Sequence, residues 1–474
     1  MLKVRPHRLN GGILIGVLVA LTTTPSFGTP SRTGRVSLPD THSSTMAEST
    51  APSVPQVASA FPLGVRPGER HLVDSAGRPF LVHGDTAWSL IAELTTDEAE
   101  HYLEDRRRRG FNTILVNLIE HRFATRAPAN VYGQSPFLMD KDFSTPNEAY
   151  FDHAEWVLRR ANDKGLLVLL APAYVGNGGG GEGWYQAMKV SGAAKLREYG
   201  RYLGRRFGGF PNILWVHGGD YDPPDKDLVR AIVEGIREFD PDALHTAHAS
   251  PGTAALEYWA GEEWLKVNNV YTYESVRHAA LRQYSRPERL PFILFESAYE
   301  NEHGASEYRL RKQAYQALLA GAAGQIFGNN PIWHFSGPGI YAAPVHWREA
   351  LDSRGSQSMA HLRTFFSGFD WWRLEPSPWL IADRMAYGGE APTAARAADG
   401  SFAVVYFPSL RSVALDLREL AGPRISAWWF DPASGETSQV PQSFSRATGF
   451  ESFRPTGRNS ADLEDWLLVL KSRP

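Results

Sequence analysis

From residue 61 to about residue 333 the chain repeats one pattern: a short apolar run, a turn, then a longer stretch whose apolar positions recur at helical spacing. Apolar runs fall over 78–88, 111–118, 166–174, 213–220, 244–250, 270–274, 292–296 and 325–333, and amphipathic stretches over 95–109, 150–164, 195–207, 227–239, 278–284 and 307–323. Counted from Phe80, this predicts eight strands alternating with helices. The fold class is therefore α/β, a (β/α)8 TIM barrel, with a doubly wound open sheet as the alternative. The helix over 95–109 is expected to be capped by Thr96, with Glu98 and Glu100 in its first turn and Arg106 to Arg109 as a solvated, dipole-complementing face in its last.

Beyond Asp370 the period shortens to strands such as 402–407 and 425–430, separated by turns at Asp399-Gly400 and 431–435. A small antiparallel β-sandwich domain over 370–474 is expected after a barrel domain over 61–369. At the other end, Lys3, Arg5 and Arg8 precede an apolar run over 13–21 that is too short to span a bilayer, and small residues follow. This reads as a signal peptide over 1–28, with an uncleaved anchor as the alternative, and then as a Ser-, Thr- and Pro-rich linker over 29–60. The expected location is secreted or periplasmic, with no integral membrane domain after signal cleavage.

Composition narrows the function classes. The 474 residues carry a formal net charge of −3, which supplies no field for nucleic acid, and no cysteine, which excludes disulfides, thiolate chemistry and cysteine-based metal sites. Aromatics reach 12% with 14 Trp. Such faces stack on sugar rings as readily as they fill cores.

Barrel enzymes place their chemistry at the C-terminal ends of the strands. That rule yields Asp85, Asn117, Glu120, Tyr174, His217, Asp220, His248, Tyr273, Glu274, Glu296, Asn329 and Trp333 as one mouth. The apolar run 213–216 breaks into His217, two glycines and Asp220, and glycines there weaken a strand while letting other groups approach closely. Glu296 ends an equivalent run three strands later. Hydrolysis of a glycosidic bond needs two carboxyls: about 5–5.5 Å apart if one attacks the sugar, about 6.5–9.5 Å apart if one activates water. Asp220 and Glu296 are the leading pair, with Asp85, Glu120, Glu274 and Glu300 competing. If Glu296 must ionise while the other acid keeps its proton, a bell-shaped rate profile follows. His217 and His248 are expected to bond substrate hydroxyls or Asp220. His217, His245 and His248 lie on two strands without a His-Glu-x-x-His helix, so neither metal nor cofactor is expected.

Four ordered segments carry a resemblance: HGDTAW at 83–88, WVHGGDY at 215–221, FESAYE at 295–300 and FGNNPIW at 327–333. Together they resemble the apiosidase-like glycoside hydrolases, glycoside hydrolase family 140, over roughly 61–369. The resemblance implies a (β/α)8 catalytic barrel with Asp220 as acid/base and Glu296 as nucleophile. The WFDP turn within 428–435 is similar to that of the collagen-binding-type β-sandwich which often follows it. The implied partner is a polysaccharide or oligosaccharide, with Asp85, Trp88, Asn117, Tyr174, His217, Tyr221, His248, Tyr273 and Trp333 around it and Trp184 as a further platform. The alternative is a non-catalytic carbohydrate-binding or adhesion protein on a barrel scaffold. The chain departs from the family pattern at 174–184, where four consecutive glycines are expected to form a mobile lid or subsite loop. A phosphate cradle is not expected there, because no Gly-Lys-Ser/Thr follows and no helix is expected directly behind it.

Overall fold

The computed structural model describes residues 60–382 and 390–473. The signal segment (1–28) and all but the last residue of the linker (29–60) lie outside the described residues. Eight parallel strands form the centre: β1 Val82–Thr86, β2 Thr113–Asn117, β3 Leu167–Ala171, β4 Ile213–Gly218, β5 Leu244–His248, β6 Asn268–Tyr271, β7 Phe292–Glu296 and β8 Gly324–Phe327. β1 pairs with both β2 and β8, and the ladder runs in chain order from β5 back to β1 and on through β8 and β7 to β6. That order belongs to a barrel and not to a doubly wound sheet. The β5–β6 seam closes differently. The Lys266 N–H donates to the His245 carbonyl (3.1 Å), the Thr246 hydroxyl donates to the Val267 carbonyl (2.7 Å), and the Asn269 amide reaches the Ala247 carbonyl.

The strands read as unbroken apolar runs because both faces are covered. Leu115, Leu169, Leu214, Val216 and Phe295 fill the barrel, while Ile114, Val116, Val168, Leu170 and Trp215 pack outward in a second buried cluster. The helix Thr96–Arg108 is capped by Thr95, not Thr96, because only Thr95 has Glu98 three residues on to complete a capping box. Its arginine run is not uniformly solvated either. Arg106 is fully buried against Asp85 and Asp105 and donates to the Leu351 carbonyl at 2.7 Å.

The C-terminal part is a lopsided sandwich: a seven-stranded antiparallel sheet and a two-stranded one. One face of the larger sheet, with Ala403, Val405, Phe407, Ile425, Ala427 and Leu468, packs on Val413, Leu415 and Phe453 of the smaller sheet. The other face, with Val404, Tyr406, Phe430 and Leu467, packs on barrel helices through Tyr315, Phe365 and Phe366. Strand Phe402–Phe407 is therefore buried at every position. Within this interface Arg311, on helix Glu307–Leu319, makes a fork-to-fork pair with Asp465 at 2.7 and 2.8 Å, both side chains fully buried. Ser358, Tyr406 and Asn459 satisfy further atoms of the pair. No helix among the described residues is long and apolar enough to cross a membrane.

Removing one partner of such a pair leaves an uncompensated buried charge. Asp465→Ala is expected to lower the unfolding free energy by about 3–5 kcal/mol, and Arg311→Met with Asp465→Leu to recover most of that loss. Denaturant unfolding of the three proteins checks both statements.

Candidate active site

Three consecutive residues, the last of β4 and the two after it, take left-handed backbone: Gly218 (φ 88°), Gly219 (φ 131°) and Asp220 (φ 50°). The two glycines are required by contact as well as by conformation. A Cβ at Gly218 would meet the His248 carbonyl at 2.5 Å, and one at Gly219 would meet the Tyr174 ring at 2.2 Å. This close approach lets the Tyr174 hydroxyl donate to Asp220 Oδ2 at 2.6 Å. A non-glycine residue held left-handed is strained, and such strain clusters where a side chain must be aimed.

Glu296 is aimed by a different device. Pairing of β7 with β6 slips between Leu294 and Glu296, a bulge at the strand end that turns the carboxyl into the barrel mouth. The Tyr273 hydroxyl donates to Glu296 Oε1 at 3.1 Å, and Tyr271 lies 3.2 Å from Tyr273, hydroxyl to hydroxyl. His248, at the end of β5, sits beneath both acids. Its Nε2 is 3.3 Å from Glu296 Oε2 and 3.6 Å from Asp220 Oδ1, and its ring lies flat against Trp88 (5.8 Å, 15°).

The electrostatics follow from this crowding. Burial first, and then the Asp220 charge, raise the Glu296 carboxyl above its ordinary value, opposed by His248 and Tyr273. For His248, burial pulls the proton affinity down, but the close approach of Glu296 at 3.3 Å and the charges of Asp220 and Glu296 outweigh it, so the net direction is up. Among the described residues, Asp220, His248 and Glu296 are also the set whose donor atoms, all within 4.8 Å of one another, are close enough to hold a cation.

Above the pair opens a cavity of about 760 Å³, lined by Trp88, Asn117, Tyr174, Asp220, Tyr273, Glu296 and Trp333, all expected as catalytic or substrate-contacting residues. Asn117 donates to Glu120 and leaves its own oxygen without a protein partner. Four expected contacts are placed elsewhere. Asp85 is fully buried and spent on Tyr102 (2.8 Å) and Arg106, because an interior acid must find donors; burial pushes it up to about 6. His217 faces away from the mouth. Its Nε2 lies 2.9 Å from His245 Nδ1 with Trp264 edge-on, and burial and then His245 push its proton affinity well down. Tyr221 packs edge-on against Tyr185, behind the glycine loop. Trp184 is likewise core: it is fully buried, and its indole donates to the Ile119 carbonyl at 3.3 Å.

Two competing acids are structural. Glu120 accepts the N–H groups of His121, Arg122 and Phe123, and Glu300 clamps Asn329, Ser353 and the Gly355 N–H. Glu274 is exposed and does not line the cavity. The glycine loop supplies Asn177 and Glu182 to the wall. A helix, Tyr185–Phe207, does open directly behind it, with a break at Gly192 (φ 74°) that hides its first turns from a periodicity reading. Sequence reasoning missed Glu302, a third carboxyl in the cavity, and Tyr271 and Tyr299; only the acidic, turn-forming stretch after Glu296 hints at the first.

Comparison with known proteins identifies the family and the fold. A model described as "Apiosidase-like, catalytic domain" matches residues 66–373, and one described as "Putative collagen-binding domain of a collagenase" matches residues 376–471. Among solved structures, a "Glycoside hydrolase" is 25% identical with a TM-score of 0.77, covering 87% of this chain and 97% of that one. A glycoside hydrolase family 5 protein from Bacteroides vulgatus ATCC 8482 is 23% identical, with a TM-score of 0.76 over 86% of this chain and 93% of its own. A family 5 mannosidase from Rhizomucor miehei is 12% identical, with a TM-score of 0.50 over 65% of this chain and 98% of its own. The last two, at such identities, are likenesses of fold. No curated protein matches the chain. With a catalytic-domain model matching more than half its length, the chain belongs to the apiosidase-like family and is a glycoside hydrolase acting on a carbohydrate substrate.

Proposed function

We propose that the chain hydrolyses O-glycosidic bonds in a polysaccharide or its side chains with retention of configuration, using Asp220 as acid/base and Glu296 as nucleophile. The observation that carries this reading is the spacing: carboxylate oxygens of the two residues lie within 4.8 Å of each other. That is close to the about 5–5.5 Å of a nucleophile and its acid, and too short for the about 6.5–9.5 Å that admits a water between them.

Each neighbour then has work to do. Glu296 attacks the anomeric carbon while Asp220 protonates the departing oxygen; Asp220 next takes a proton from the water that releases the sugar. Tyr174 donates to Asp220 Oδ2, and Oδ1 faces His248 Nε2 at 3.6 Å, so the carboxyl is held from both sides. Tyr273 holds Glu296 by one oxygen. His248, with its raised proton affinity, offsets the charge of two acids in a buried floor. The organisation proposed with this activity is a catalytic barrel over 61–369 and a β-sandwich over 370–474, exported to the periplasm or the medium by the segment 1–28.

Removal of the two acids separates their roles. Glu296→Ala is expected to abolish turnover on every substrate, by a factor on the order of 10⁴ or more. Asp220→Ala should keep first-step activity on an activated aryl glycoside and gain turnover with azide. Near wild-type rates for both variants sink the paired-carboxylate reading. Sugar binding without released product by the wild-type protein supports a non-catalytic carbohydrate-binding role instead.

The pH dependence follows from the raised Glu296. It must be ionised to attack, so the acidic limb of kcat/KM should lie above the usual carboxylate range and the optimum should move toward neutral; a flat profile from about pH 5 to 9 overturns the assignment. Stability has a matching sign. A carboxyl whose folded value is raised favours folding only while protonated, so its ionisation costs stability as pH rises through that value. Glu296→Gln should therefore melt close to wild type in acid and above it at alkaline pH, in thermal scans across the range.

A further inference from the structure

The third carboxyl of the cavity has no role in the acid/base pair. Glu302 lines the wall beside Glu296, Tyr299 and Trp333, and its Oε1 accepts the Trp333 indole N–H at 2.9 Å. The loop that carries it is set for presentation. Asn301 and His303 on either side both take left-handed backbone (φ 70° and 49°), and Gly304 follows at 72°. Non-glycine residues in that region are strained and cluster at ligand clamps. Hydrogen bonds fix the strain in place: Asn301 Nδ2 donates to the Asn330 carbonyl (2.8 Å), the Glu302 N–H to the Tyr299 carbonyl (3.1 Å) and the Ala305 N–H to the Glu302 carbonyl (2.8 Å).

Trp333 needs such a partner. Its ring meets Phe123 (5.2 Å, 77°) and His334 (4.5 Å, 65°) at steep angles, contacts that do not fix rotation about the side chain as a directional bond to the indole N–H does. Resting on the glycosidase reading above, we propose that Glu302 is a substrate-positioning residue: it locks the Trp333 indole as a platform for a sugar ring and presents Oε2 to a hydroxyl of that ring.

The charges around Glu302 leave its carboxyl poised. Burial pushes it up to about 7, with Trp333 opposing and the Glu296 charge adding. The other charged groups of the cavity wall are engaged elsewhere. Arg309 donates to the Tyr273 carbonyl, Lys312 pairs with Glu390, and Glu182 pairs with Arg122. His303 bonds Tyr341, His334 is bonded through both ring nitrogens, and Asp220 and His248 belong to the acid pair. Near neutral pH Oε2 therefore alternates between donating to and accepting from a hydroxyl.

The test reads the lock directly in the full-length protein. With ¹⁵N-labelled tryptophan, the Trp333 indole signal is identified among the 14 tryptophans by its loss in Trp333→Phe. In wild type it should move with pH, with a midpoint near neutrality, and in the isosteric Glu302→Gln it should stay fixed. With a 4-nitrophenyl glycoside as probe, Glu302→Gln should raise KM by about tenfold and leave kcat within about threefold. An indole signal that is stationary from pH 5 to 9, or that moves equally in Glu302→Gln, overturns the proposal, as does a loss confined to kcat. A titrating indole in a protein whose Asp220→Ala and Glu296→Ala variants retain wild-type turnover supports the lock and sinks the catalytic reading, so the two failures are distinguishable.

Discussion

Two carboxylates held within 4.8 Å of each other over a buried floor are the constraint on which the rest of the structure depends. At that range in a poorly solvated site the Asp220 charge opposes ionisation of Glu296, and nothing local to either strand would keep them there. The opposition is balanced by His248, buried beneath both, and by two tyrosine hydroxyls, one on each acid. The backbone absorbs the remainder, as a left-handed Asp220 on one side and a β-bulge at Glu296 on the other.

The surrounding barrel supplies the rigidity that such an arrangement needs. Its strands are buried on both faces, so the mouth residues stand on elements that cannot shift without opening a core. The C-terminal sandwich adds to this. It docks on helix Glu307–Leu319, the helix that leads from the Glu302 loop back toward β8, through an aromatic interface and the buried Arg311–Asp465 pair. The docked domain also reaches the site, since Glu390 is among the residues that line the same cavity.

The polar groups just outside the cavity illustrate how a barrel mouth is kept in order. Glu120 and Glu300 sit at strand ends where catalytic acids occur, yet each is saturated by donors and holds a loop. Asp85 is buried one layer deeper and tied to Tyr102 and Arg106. The distinction between these acids and the pair is one of partners. Glu120 and Glu300 are saturated by backbone and side-chain donors, whereas Asp220 accepts one hydrogen bond, from Tyr174.

The sequence by itself determined the alternation of strands and helices, and with it the barrel, because a parallel strand buried on both faces must be an unbroken apolar run and each connection must be amphipathic. It also determined where the acids of the mouth would stand, since strand ends map to one rim, and it marked Asp220 through glycines that only a close approach requires. Tertiary structure alone decided which strand-end groups face the cavity. His217 and His248 both follow apolar runs, but one points into the helix layer and the other under the acids, a difference of side-chain direction that composition does not encode. Arg106 reads as one of four solvated arginines until Asp85, 21 residues away, claims it inside the core. Glu302 stands in an acidic, turn-forming stretch that does not by itself place it in the cavity. Its place in the cavity depends on the Trp333 indole arriving from the segment after β8, and a contact between segments that follow different strands is fixed only when the ring of strands closes.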